Sequence, residues 1–345
     1  MTTAAVRTLD DAVVADPQDV GAVEGHGGAD RGTGARNSPA VVAGGHPAQH
    51  DVVGVDDLSA GRAERIPGVA VHSLDFRRVD EQDRLSRILS EHATEAVMHF
   101  AAKKRVDESM VLPADYALAN IGATAVLVGA MRDAGCRRLV LSSTAAVYGD
   151  VDGVVAEDAA TTPISPYGWS KLAAEQLVTA AGAADGLSAI SLRYFNVGGA
   201  RDAMLAETEA MNLIPQVLRQ LEHGRRPQIF GTDYPTPDGT CVRDFIHIDD
   251  VIAAHIAALD HLVAVAPGNL VLNVGTGLGA SVAEVVRAVC AASGVANEPE
   301  LLPRRIGDSA TVVADVRRIR AELGWSAERS LAEIVDSAVA ARPAR

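Results

Sequence analysis

The sequence predicts an α/β fold, a doubly wound parallel sheet with a smaller C-terminal lobe, on three observations. From Asp51 onward short apolar runs alternate with helical stretches, and each run ends in small or polar residues. The core material is aliphatic: 48% of the 345 residues are hydrophobic and only 3% are aromatic, which suits helix-on-sheet packing. A chain of this length holds one large or two modest domains.

The predicted strands follow in order. Asp51-Val52-Val53-Gly54-Val55 ends at Asp56-Asp57, and Ala96-Val97-Met98-His99-Phe100 ends at Ala101-Ala102. Arg138-Leu139-Val140-Leu141 ends at Ser142-Ser143-Thr144, and Ser191-Leu192-Arg193-Tyr194-Phe195 ends at Asn196. In an open parallel sheet ligands bind beyond the carboxyl ends of the strands, so these terminal residues should line one crevice. Residues 196–244 are rich in Gly, Pro and charge and read as the loops and short elements of the smaller lobe. Leu270 to Val274 is a further strand with a turn at Gly275-Thr276-Gly277, and Ser281 with Glu284 three residues on forms a capping box that opens a helix.

Residues 1–50 break the pattern. They contain no Phe, Trp, Tyr, Ile or Lys and a single Leu, so no buried strand is legible there. Gly25, Gly27, Gly28, Gly32 and Gly34 follow no strand and lack the spacing of a phosphate-binding turn. The segment reads as aberrant or disordered, an out-of-frame or mis-started translation of the first strand–helix unit. The other two reading frames of the coding DNA test this: one of them should encode a strand and spaced glycines joining near His50.

The net charge of −14 and a pI near 5.1 argue against nucleic acid or an acidic membrane surface as partner, and a small anionic ligand would need a local cationic pocket. Cys136, Cys241 and Cys290 are spaced for neither a disulfide framework nor a zinc site, which fits a reducing cytoplasm and no metal. No apolar run reads as a membrane span, and Asp10 and Asp11 fall where a signal peptide would be apolar.

The chemistry concentrates in Ser165-Pro166-Tyr167-Gly168-Trp169-Ser170-Lys171. Ser165 is a natural helix N-cap and Pro166 suits the first helical position, so Tyr167 and Lys171, four apart, should share one helix face. A phenol beside an ammonium is an acid/base unit for an alcohol, and the cation should pull the phenol down from its usual value of about 10.

With these motifs together the chain resembles the extended short-chain dehydrogenase/reductase family, and within it the UDP-glucose (UDP-galactose) 4-epimerases, from about Asp51 to Trp325. The resemblance implies a Rossmann-like NAD-binding domain at 51–195, with 245–275 returning to it, and a UDP-sugar lobe at 196–244 and 276–340. It implies Tyr167, Lys171 and Thr144 as the catalytic residues. For the cofactor it implies Asp56 and Asp57 at the adenosine ribose, Asp75 and Phe76 on the adenine side, Phe100, Ala101, Ala102 and Lys104 along the backbone after the strand, and Asn120, Ser142 and Phe195. Lys103, Lys104 and Lys171 are the only lysines in the chain, which draws notice to Lys104, while Lys103 reads as a solvated loop cation. For the substrate it implies Asn196, Asn212, Leu213, Gln228, Phe230, Arg243, Arg305 and Asp308, with both arginines able to fork onto a diphosphate.

The implied reaction is inversion at C4 of UDP-glucose and UDP-galactose through a 4-keto sugar, with NAD retained, in a homodimer. Thr144-Ala145-Ala146 lacks the acid pair that sugar-nucleotide 4,6-dehydratases carry there, so elimination is not expected. Val312 falls at the family's gate to the sugar pocket and is intermediate in size, which leaves UDP-N-acetylglucosamine as a second substrate. Another sugar-nucleotide epimerase or reductase, or a catalytically impaired UDP-sugar-binding protein lacking the phosphate loop, are the alternatives.

Overall fold

The computed structural model describes residues 3–6 (backbone only), 51–59, 63–202, 212–265, 268–305 and 308–342. The larger unit is a seven-stranded sheet built from β1 (Thr3–Val6), β2 (Val52–Asp56), β3 (Ala70–Ser73), β4 (Ala96–His99), β5 (Arg138–Thr144), β7 (Ser188–Tyr194) and β11 (Asn269–Val274). Its order is β11-β7-β5-β4-β1-β2-β3. The order reverses at the centre, as in a doubly wound dinucleotide fold, and the crevice opens at that reversal. A short β6 (Gly153–Val155) leaves this sheet for the smaller lobe.

Alternation along each strand explains the layers, because successive side chains point to opposite faces. Ala96, Met98, Val140, Ile190 and Leu192 pack into one core with α7 (Ile248–Ala264), α9 (Arg317–Leu323) and Trp325. Val97, Leu139, Leu141 and Ala189 pack into the other with α1 (Gln82–Glu91), α4 (Ala123–Ala134) and α5 (Pro166–Asp185). Burying each large aliphatic side chain contributes roughly 1.5–3 kcal/mol, so the two-sided sheet is the main source of stability.

Before α4 come α2 (Val106–Val111), α3 (Pro113–Tyr116) and a π-helical turn, Ala117–Gly122. By length and composition Pro113–Ala134 could cross a membrane, at mean hydropathy 1.3, contrary to the sequence reading. Half of that window is buried inside the protein, with α4 packed on α1 and α5, so it is a core helix.

The smaller lobe holds β8 (Asn196–Gly198), β9 (Gln228–Phe230), β10 (Val242–His247), β12 (Gly279–Ser281), β13 (Glu300–Leu302) and β14 (Thr311–Ala314). Its sheet runs β12-β10-β14-β6, with β8 also on β10 and a separate β13–β9 pair. Its core joins α6 (Leu213–Glu222), α8 (Val282–Ala292) and α10 (Leu331–Ala340). The predicted Ser281–Glu284 capping box is present at α8. Asp244 on β10 ties this lobe to the main sheet: its buried carboxylate accepts from Thr276 N and Oγ1, Gly277 N and Ala314 N at 2.6–3.1 Å.

The sequence reading of residues 1–50 is corrected at one point. Thr3–Val6 is a strand, in the central slot between β2 and β4, and it is antiparallel to both, with Thr3 opposite Val55 and His99 and Val6 opposite Val52 and Ala96. Four small residues suffice because the slot supplies ladder partners on both sides. The five glycines between 25 and 34 lie outside the described residues. If β1 fills the slot as placed, Ala5→Pro removes a ladder donor in mid-sheet and should lower the unfolding free energy by about 1–3 kcal/mol, seen as a lower urea midpoint.

Candidate active site

A cavity of about 490 Å³ opens at the carboxyl ends of β4, β5 and β7 and extends to the smaller lobe. It brings together Thr144, Tyr167 and Lys171 with Phe100, Ala102, Lys104, Ser142 and Phe195 from the main sheet side. Asn196, Asn212, Arg243, Asp308 and Val312 line it from the other side. Residues far apart in sequence thus meet as the strand-end argument expects.

Local sequence sets the Tyr–Lys helix. Ser165 Oγ accepts from Gly168 N at 3.1 Å and Pro166 occupies the first turn of α5, a cap that contributes about 1 kcal/mol. Gly168 is dictated by proximity: a Cβ there would lie 2.6 Å from the carbonyl oxygen of Ala146. That close approach sets Tyr167 beside Thr144. Thr144 Oγ1 accepts from Ala146 N at 3.2 Å, which leaves its proton to donate to the Tyr167 oxygen.

Electrostatics departs from the sequence expectation. Burial raises the Tyr167 phenol above its usual value and the hydrogen bond from Thr144 pulls the other way, so the net shift is upward. Lys171 Nζ places one of its three donors on the Ser142 carbonyl, at 2.8 Å. Burial brings the Lys171 ammonium down to about 8, outweighing the upward pull of Glu175 one turn along α5. The chain's own groups therefore hold a protonated phenol next to an easily titrated amine. The Tyr167 ring is braced edge-on by Tyr116, centroids 6.4 Å apart, and the Tyr116 hydroxyl donates to Glu108 at 2.9 Å.

Several expected contacts are placed differently. Phe76 is fully buried in the core with Leu85 and Val97, so its ring is structural. Asn120 does not face the cavity: its amide accepts from Lys103 N at 2.8 Å and donates to Lys103 O at 3.0 Å and Ser170 Oγ at 2.8 Å. It clamps the loop after β4 onto α5. Lys103 is buried at 2% exposure, not solvated, with Nζ 3.7 Å from Asp115 and 5.5 Å from the Tyr116 ring centre. Asp75 is held by Arg77, and Gln228 donates to Glu300 at 3.0 Å. Arg305 stacks on Phe230 at 3.8 Å, Leu213 packs on the lobe core, and Ala101 is buried in the sheet core. Arg243 is 3.6 Å from Asp308, so the implied diphosphate and ribose ligands begin as an ion pair.

The sequence reading missed the layer beneath the site. Arg193 meets Glu175 through Nε and Nη2 at 3.0 and 2.6 Å, Ser143 Oγ donates to the same carboxylate, and Arg193 lies 4.8 Å over the Tyr148 ring. An arginine inside a wholly buried strand, and a glutamate four residues after Lys171, were the available signals. Arg193→Met strands a buried carboxylate and should cost about 3–5 kcal/mol of stability by urea denaturation.

A doubly wound sheet with its crevice beyond the carboxyl ends of the strands is the architecture of nucleotide-binding enzymes. The NAD dependent epimerase/dehydratase family matches residues 40–275, and the chain belongs to that family. It is 48% identical over 279 residues to a UDP-glucose 4-epimerase of Azospirillum brasilense, covering 79% of each chain. Among solved structures, the UDP-glucose-4-epimerase of Stenotrophomonas maltophila with bound NAD and formylated UDP-arabinopyranose matches at 40% identity and TM-score 0.77, over 83% of this chain and 88% of that one. The UDP-Glc/GlcNAc 4-epimerase of Campylobacter jejuni matches at 36% identity and TM-score 0.72, over 83% and 89%.

Proposed function

We infer that this chain is an NAD-dependent UDP-sugar 4-epimerase that interconverts UDP-glucose and UDP-galactose. The observation that carries the reading is that one cavity is lined by Thr144, Tyr167 and Lys171 together with Arg243 and Asn196.

The donor set fits the cofactor at its two ends. Lys104, Ser142, Tyr167 and Lys171 suit the nicotinamide ribose, and Asp56 and Asp57 at the end of β2 suit the adenosine ribose. Asp56 Oδ1 already accepts from Leu58 N at 2.5 Å, which fixes that carboxylate at the turn. Between the two ends the described residues include no glycine turn after β1, whose reversed direction carries its carboxyl end to the far edge of the sheet. Bound NAD supplies the site with reversible hydride acceptance at C4.

The protein's own part is proton handling and positioning. Tyr167 Oη takes the O4 proton and returns it, and the Thr144 hydroxyl bridges Tyr167 to O4. The chain's own groups leave the phenol protonated, so the Lys171 ammonium, fixed on the Ser142 carbonyl, would favour the phenolate only together with the positive ring of bound NAD. Arg243 grips the diphosphate once released from Asp308, leaving the hexose free to present either face. Tyr167→Phe should lower kcat by about 10²–10⁴-fold with UDP affinity unchanged; calorimetry with UDP beside an epimerisation assay checks both.

Val312 on β14 lines the sugar end and is only half-buried. Its modest size supports turnover of UDP-N-acetylglucosamine as the second reading. Side-by-side assays should show both substrates turned over by the natural chain and Val312→Tyr losing the N-acetylated one alone. A homodimer belongs to the same reading, with exposed Met110, Val111 and Leu118 as side chains a second copy would cover.

A further inference from the structure

We propose that His255, a fully buried residue of α7 on the far side of the sheet, is a positioning residue that, through Tyr194, fixes Ser142 and with it the Lys171 ammonium at the reacting centre. The proposal rests on the epimerase reading and adds a part of the machinery to it.

The hydrogen-bond chain begins at a fixed tautomer. His255 Nδ1 lies 2.8 Å from the Val251 carbonyl oxygen one turn back on α7, and a carbonyl only accepts, so Nδ1 carries the proton. Burial pushes the imidazole down to about 4, so it is neutral and Nε2 is a bare acceptor. Tyr194 Oη lies 2.5 Å from Nε2 and therefore donates to it. The Tyr194 oxygen is also 2.8 Å from Ser142 Oγ, so the two hydroxyls share a hydrogen bond. The backbone carbonyl of that same serine receives Lys171 Nζ.

His255 also touches a third strand. Its ring centre is 4.7 Å from that of Phe100, which follows β4 and lines the cavity. One imidazole thus braces Phe100 after β4, Ser142 on β5 and Tyr194 on β7, three adjacent positions of the crevice floor. The chain ends inside α7 on a backbone carbonyl with no solvent exit, since His255 is 0% exposed. It is built to hold, and it cannot shuttle protons to bulk. Lys171 needs such a hold: its other polar neighbour from α5, Glu175, is already engaged by Arg193 and Ser143.

The test uses the full chain with Tyr194→Phe, His255→Leu, His255→Gln and the Tyr194→Phe/His255→Leu double variant. Tyr194→Phe and His255→Leu should each lower kcat about ten- to a hundredfold with KM for UDP-glucose within about twofold. His255→Gln, which keeps an acceptor amide, should recover most of the loss, and the double variant should be no worse than the poorer single one. A cofactor-free arm follows the Lys171 side chain, one of only three lysines, by its 13Cε resonance with pH. The titratable groups around that amine are Glu175 and His99, with Tyr167 one turn back on α5 and Tyr116 against the Tyr167 ring. In Tyr194→Phe the Lys171 titration should move downward as the ammonium loses its seat.

Unchanged kcat with an unmoved titration, or additive losses with KM rising in step, overturns the proposal. Absence of epimerisation in the natural chain overturns the epimerase reading instead, and the titration arm then decides the positioning role alone.

Discussion

The site depends on one hydrogen bond, from the Lys171 ammonium to the Ser142 carbonyl. It crosses from α5 to the end of β5 and fixes the helix that carries Tyr167 against the strand that carries Thr144. A cation in a buried position is costly, and here the carbonyl and the nearby Glu175 offset only part of that cost, so the amine is left close to titration. The rest of the local structure supports this contact: the Ser165 cap starts the helix, Gly168 permits its approach to Ala146, and the Asn120 amide clamps the neighbouring loop onto it.

Two layers of polar residues underlie that bond. Beneath β5 and α5, the Glu175–Arg193 pair with Ser143 and Tyr148 is buried and mutually satisfied, a condition under which a charge pair in a core is tolerated. On the opposite face, His255 and Tyr194 reach the same serine from α7. The strand ends are therefore held from both faces of the sheet, which is what a site needs if it is to act on either face of a sugar without shifting its own acid/base pair.

Much of this was legible from sequence because the signals are local. Strand ends, the Ser165–Pro166 start and the Ser281 capping box depend on neighbours a few residues away, and all three are present. The strand-end rule placed Thr144 at the crevice, whereas the gathering of Tyr167, Lys171, Arg243 and Asp308 at the same cavity was legible only through the resemblance. What sequence did not disclose depends on tertiary partners. Phe76 is as good a core residue as an adenine neighbour, and only packing separates the two. Asn120 and Lys103 turn inward because each finds partners across 12 or more residues. The expected fall in the Tyr167 value assumed a lysine aimed at the phenol, whereas folding aims it at a carbonyl.

The reversed β1 bears on how the molecule can be handled. Thr3 sits level with Val55 and His99, at the ligand edge of the sheet, and Val6 at the opposite edge. An affinity tag or fusion partner joined ahead of Thr3 would therefore begin at the mouth of the nucleotide crevice and compete with whatever enters it. The same addition placed after the last helix, α10, would start from the smaller lobe, next to α8 and β10.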